Sequence, residues 1–136
     1  HNLLAHNNAR NPRPGAYSYT LHQFDYRNNV MYDYGGQSAG YSGATERTQM
    51  NYVGNYIIAG PDSTGSYAFN SSDADTWIYQ SANKIDGNKN GVFDGTDTGW
   101  AMLASGISMA VSVAIRSPQG PTGMGLTTGF CPIIAM

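Results

Sequence analysis

The sequence predicts an all-β fold, a partial parallel β-solenoid of about four coils with long loops and an irregular tail. Three observations lead there. Four asparagines, Asn2, Asn29, Asn55 and Asn83, recur at steps of 27, 26 and 28 residues. The last three each follow a strand-like stretch (FDYR, MNYVG, TWIYQSA), and all four precede a short apolar run (LL, VMY, YII, KI). Only 12% of the residues are charged, and Gly, Asn, Ser, Thr and Tyr fill the gap, which suits short strands joined by turns rather than a helical bundle. A near-constant step over a supersecondary unit is the signature of stacked repeats.

The asparagines have a physical role in such a stack. A buried side-chain amide costs free energy unless its donors and acceptor are met. One amide placed over the next satisfies its neighbour and the adjacent turn. Between these positions the reading expects loops. Residues 35–43, GGQSAGYSG, are Gly/Ser-rich and expected to be exposed, and residues 60–76, GPDSTGSYAFNSSDADT, open on a Gly-Pro break and read as a long polar loop.

Residues 84–100, KIDGNKNGVFDGTDTGW, place Asp86, Asn88, Asn90, Gly91, Asp94 and Asp97 at positions 1, 3, 5, 6, 9 and 12 of a D-x-N-x-N-G pattern. That spacing resembles a calcium loop, but position 12 carries Asp97 rather than the usual bidentate glutamate, and no amphipathic helices flank it. A turn whose side chains satisfy local backbone is the favoured reading, with calcium held as the weaker one. Residues 100–114 are apolar with small side chains and read as a strand or packed coil.

The amino-terminal HNLLAHNNARNPRPG presents two arginines, Arg10 and Arg13, around Pro12. Proline fixes its own φ and disfavours the helical region for the residue before it, so both arginines are expected on an extended, stiffened segment. Planar guanidinium donors suit carboxylates. On its own, an arginine beside a proline in a turn is a solvated surface charge. His1 and His6 do not share a helix or strand face at a spacing of five. Asp25, Asp33 and Glu46 are scattered acids. The single cysteine, Cys131, excludes an internal disulfide, and a formal net charge of −2 gives no nucleic-acid footprint. No apolar span long enough for a membrane is visible in the sequence.

HNLLAHNNARNPRPG, FDYRNNVMYDYG (24–35), MNYVGNYIIAGP (50–61) and IYQSANKIDGN (78–88) together resemble pectate lyases of polysaccharide lyase family 1, over about residues 1–103. The resemblance implies a right-handed parallel β-helix in a secreted, monomeric, calcium-dependent lyase acting on polygalacturonate or a related acidic polysaccharide. It implies Arg10 as the base, Arg13 as a substrate-carboxylate ligand and His1 as a structural residue. It further implies that the chain is the C-terminal piece of a longer protein, with most calcium ligands and a substrate lysine on earlier coils, so that the piece alone is inactive. Residues 1–114 form the solenoid domain in this reading. Residues 115–136 form a tail in which the resemblance fails, and a one-nucleotide slip of reading frame near Ala114 would account for the change. The reading from a different class is a non-catalytic solenoid that binds polysaccharide or serves as a structural segment.

Overall fold

A computed structural model describes residues 1–14, 21–43, 47–71, 75–104 and 107–109. The tail 115–136 and Glu46 lie outside them. The described strands are β1 (Leu3–Ala5), β2 (Leu21–Arg27), β3 (Val30–Tyr32), β4 (Ser38–Ser42), β5 (Arg47–Val53), β6 (Tyr56–Ile58), β7 (Tyr67–Ser71), β8 (Thr76–Ser81), β9 (Lys84–Asp86) and β10 (Ser108–Met109), with a 3-10 helix at Gly99–Met102.

The strands form three sheets, all parallel. The first runs β1-β3-β6-β9, the second β10-β8-β5-β2, and the third pairs β4 with β7. The chain visits the second, first and third sheets in turn, which is the topology of a partial parallel β-solenoid. In the first sheet Leu3 stands beside Val30, Val30 beside Tyr56 and Tyr56 beside Lys84, so the strand register repeats the asparagine spacing.

Two-residue corners join the second sheet to the first. Asn28, Gly54 and Ala82 occupy the left-handed region at φ 55°, 64° and 53°, and each is followed by an asparagine. Nδ2 of Asn2 donates to Oδ1 of Asn29 at 2.9 Å, Asn29 to Asn55 at 3.0 Å, and Asn55 to Asn83 at 3.0 Å. The same oxygens accept the backbone N–H of the preceding asparagine. Ala82 bears a methyl group where Gly54 bears none. A left-handed L-residue costs about 1–2 kcal/mol and glycine returns part of that as unfolded-state entropy. Ala82→Gly is therefore expected to stabilise the fold by about 0.5–1 kcal/mol, read as a higher urea midpoint.

The interior is filled by side chains from all three sheets. Met31 and Ile57 come from the first, Met50, Tyr52 and Ile78 from the second, and Ala68 and Phe69 from the third. Tyr26 stacks on Tyr52 with ring centroids 5.5 Å apart, and Phe69 meets the Tyr52 ring edge-on at 6.4 Å. Burial raises the Tyr52 phenol well above its ordinary pKa, with Tyr26 and Tyr34 adding to the shift.

The third sheet corrects the sequence reading. The stretches 35–43 and 60–76, expected as exposed or polar loops, contain β4 and β7, and Ser38, Ala39, Ala68, Phe69 and Ser71 are buried. Small residues let these strands close a tight corner. The Ser42 hydroxyl donates to Ser71 Oγ at 2.8 Å and lies 2.7 Å from Thr76 Oγ1, while Ser71 donates to Thr76 at 2.9 Å. These polar residues are buried because they satisfy one another.

Candidate functional site

Between β1 and the third sheet the chain turns within a few residues. Asn7 donates to Asn11 Oδ1 at 3.1 Å across this turn. The Asn11 N–H then donates to Ala39 O at 2.9 Å, and Tyr41 N–H donates to Pro12 O at 3.1 Å. Residues 11–12 thus run beside β4 and continue the third sheet by one more chain. A Cβ at Gly40 would stand 2.7 Å from Pro12 O, so only glycine admits this approach.

The path sets both arginines at the border of the third sheet, exposed to solvent. The expected extended backbone does not hold at Arg10, which sits at φ 74°. The turn from the first sheet to the third requires a left-handed residue there, and local proline chemistry does not determine it. The Arg13 guanidinium carbon lies 5.5 Å from the centre of the Tyr41 ring, a cation–π contact that orients the side chain over β4. Beside it, Ala9, Gln37, Ser38, Tyr41, Asn70 and Ser71 line an open cleft of about 370 Å³. Arg13 also borders a shallower depression of about 280 Å³ with Pro14, His22 and Phe24. This face offers arginine donors, amides, hydroxyls and one aromatic platform, a set that suits an acidic, hydroxylated ligand.

A second charged group lies at the neighbouring corner. His6 Nδ1 is 2.8 Å from Asp33 Oδ2, and Asp33 Oδ1 accepts the Asp62 backbone N–H at 2.8 Å. His6 and Asp33 both have left-handed backbones, at φ 56° and 52°. Lys89 Nζ donates to Ser63 O nearby. The Asp62 N–H holds the Asp33 carboxyl below the usual carboxylate range, against the opposing effect of burial, and the hydrogen bond and charge of His6 and the charge of Lys89 add to it. The contribution of Asp33 to stability is thus present above the unfolded aspartate pKa of about 3.9 and lost as pH falls from there through the lower folded value. The Tm gap between the unmodified chain and Asp33→Asn is expected to be larger at pH 6 than at pH 3. An unchanged gap would remove Asp33 from the acid limb. The separation of His6 and Asp33, 27 residues or one coil step, is legible in the sequence, but that the two side chains meet is decided by stacking.

The loop after β9 is held by hydrogen bonds among its own side chains. Both carboxylate oxygens of Asp94 accept side-chain amides, Oδ1 from Asn88 at 2.9 Å and Oδ2 from Asn90 at 3.2 Å. The Asn88 and Asn90 oxygens accept the N–H groups of Asn90 and Val92, and Asp97 Oδ1 accepts that of Gly99. Asp86 stands apart, at the end of β9. Of the weak calcium candidates Asp86, Asn88, Asn90, Asp94 and Asp97, the last four take part in these hydrogen bonds within the loop. Among the described residues no three His, Cys, Asp or Glu side chains group to hold a metal. Asp25 lies on the second sheet, accepting from Asn51 at 2.6 Å and paired with Arg27 at 3.0 Å, away from the Asp33 corner.

Fold and face together describe a parallel β-solenoid with an arginine-bordered, polar sheet surface. Comparison with known proteins narrows this. The chain is similar to curated fungal proteins named probable pectate lyase C, being 31% identical over 99 residues to one from Aspergillus flavus and 33% identical over 99 residues to those of Neosartorya fischeri and Aspergillus fumigatus. Each match covers 72% of this chain and 22% of the relative, so the chain spans under a quarter of those proteins' length. No family model and no solved structure matches the chain. Among the described residues no helix is long and apolar enough to cross a membrane.

Proposed function

We propose that this chain is part of an extracellular pectate lyase that cleaves polygalacturonate by β-elimination, with Arg10 as base and Arg13 as ligand of a substrate carboxylate. The observation that carries the reading is the Arg10-x-Pro12-Arg13 segment held along the third sheet, with Arg13 on the ring of Tyr41, which also lines the open polar cleft. The similarity to proteins named as pectate lyases supplies the reaction class. The coils wind to the right, the hand that parallel strand crossovers favour.

In this reaction Arg10 takes the proton at C5 of a galacturonate residue. The C5 electron pair forms the C4=C5 double bond, the C4–O4 bond breaks, and the departing oxygen is protonated from solvent. Arginine is ordinarily always protonated, so the base must be a guanidine whose charged form is disfavoured in the complex. Arg13, seated on Tyr41, holds the sugar carboxylate through paired donors. The calcium that the family resemblance implies would draw its ligands from outside the described residues.

The decisive measurement is release of 4,5-unsaturated product from polygalacturonate, followed by its ultraviolet absorbance, in the protein that carries this chain. Product formation that depends on Arg10 supports the lyase. The locally satisfied loop at Asn88–Asp94 favours a second reading, a non-catalytic polysaccharide-binding solenoid. That reading expects retained polygalacturonate binding with no unsaturated product.

A further inference from the structure

The outer face of the first sheet carries a second, different site. Strand register places Ala5, Tyr32, Ile58 and Asp86 in one outward column, while Leu4, Met31, Ile57 and Ile85 form the adjacent column of the alternating pattern and pack in or against the core. The loop after β9 folds back over this face. Thr96 bridges to Ile85 and the Gly95 N–H donates to the Tyr56 hydroxyl at 2.9 Å. Between sheet and loop lies a cleft of about 500 Å³, walled by Val30, Tyr32, Ile58, Pro61, Val92 and Phe93. Val92 and Phe93 leave 59% and 74% of their surface exposed on the loop side.

Asp86 lines this apolar cleft, and its residue is only 4% exposed. Among the described residues its Oδ2 is buried with no hydrogen-bond partner. An unmatched buried carboxylate costs several kcal/mol unless a donor or cation meets it, and native structures rarely leave one so (roughly ~90% or more of buried polar groups are paired). Lys89 also lines the cleft, but its ammonium donates to Ser63 O. The other nearby acid, Asp33, already has the Asp62 N–H and His6. Asp86 Oδ2 is thus a buried carboxylate oxygen at this cleft without a donor among the described residues.

We propose that the cleft is a binding site for a small apolar molecule bearing one primary ammonium group, whose N–H donors meet the Asp86 carboxylate as its buried oxygen turns toward the cleft, and whose apolar body fills the space between Tyr32, Ile58 and Phe93. Charge complementarity selects the ammonium, and the apolar walls exclude a strongly hydrated ion. The rings of Tyr32 and Phe93 add aromatic contact for an aromatic body and cation–π attraction for the charged group. The site is independent of the lyase reading, because the arginines border the third sheet and this cleft faces outward from the first.

The test uses the full chain titrated with 2-phenylethylamine, 2-phenylethanol and calcium chloride in separate arms, followed by amide chemical shifts of Tyr32, Ile58, Asp86 and Phe93. The amine is expected to saturate these shifts and to bind at least about tenfold tighter than the alcohol, the difference a charge-assisted hydrogen bond supplies. Asp86→Asn is expected to abolish that preference, and Phe93→Ala to weaken both organic probes while keeping it. Equal binding of amine and alcohol in the unmodified chain would overturn the proposal without any variant. So would a preference that survives Asp86→Asn, saturation by calcium in place of the amine, or no saturable binding of the amine.

Discussion

Asn55→Ala is expected to destabilise the fold by about 3 kcal/mol or more, at the upper end of what single substitutions do. Asn55 is 1% exposed and uses its amide fully. Its Oδ1 accepts the Asn29 N–H and Nδ2 at 3.0 Å each, and its Nδ2 donates to Tyr26 O at 2.9 Å and Asn83 Oδ1 at 3.0 Å. Alanine leaves the two Asn29 donors and the Tyr26 carbonyl unmet in a site water does not reach. Each such group costs about 1–3 kcal/mol, only partly relieved by relaxation. Aspartate does not rescue the site, because it keeps the acceptor, loses both donors and buries a charge. Asn2, at the exposed end of the column, provides the comparison, and Asn2→Ala should cost less than about 1 kcal/mol. Urea unfolding followed by tryptophan fluorescence measures both. A loss below about 1 kcal/mol at Asn55 would show that the stacked amides direct the turns without stabilising them.

Arg10→Lys is expected to lower kcat on polygalacturonate by about 10²–10⁴-fold in the protein that carries this chain, the range a general base supplies. Lysine keeps a positive charge but places a compact ammonium where the planar guanidine stood. Arg10 is exposed and, among the described residues, makes no ion pair, so its replacement should leave the unfolding midpoint nearly unchanged and the loss can be assigned to chemistry. Arg13→Lys should act differently. Removing a paired donor to the substrate carboxylate, and the cation–π seat on Tyr41, should raise KM more than it lowers kcat. An Arg10→Lys enzyme with unchanged kcat would remove Arg10 from the role of base.

The parts of this molecule that were legible in the sequence share a property. Their signal is carried by a few residues close together in the chain. The runs VMY, YII and KI after their asparagines mark β3, β6 and β9, and the stretches before them mark β2, β5 and β8. The Asp/Asn/Gly turn after β9 announces that its oxygens will cap local N–H groups. The third sheet was hidden because SAGYS and YAFNS lie inside Gly-, Ser- and Asp-rich stretches whose small and polar residues read as loop. They extend only because a neighbouring coil pairs with them, and the match of Ser38 with Tyr67 and Ser42 with Ser71 is visible only once the two segments are aligned.

The sequence by itself determined the step of the repeat, the residues at its corners and the two arginines beside a proline. A left-handed residue followed by an asparagine is a choice of side chain and dihedral made within two positions, so it needs no distant partner. Tertiary structure alone decided what those residues face. Stacking turned the backbone of Arg10, seated Arg13 on Tyr41, tied His6 to Asp33 one coil away and buried Asp86 without a donor. The Arg13–Tyr41 and His6–Asp33 contacts join coils some 27 residues apart, and all four features depend on register and burial, which no single segment of the chain contains.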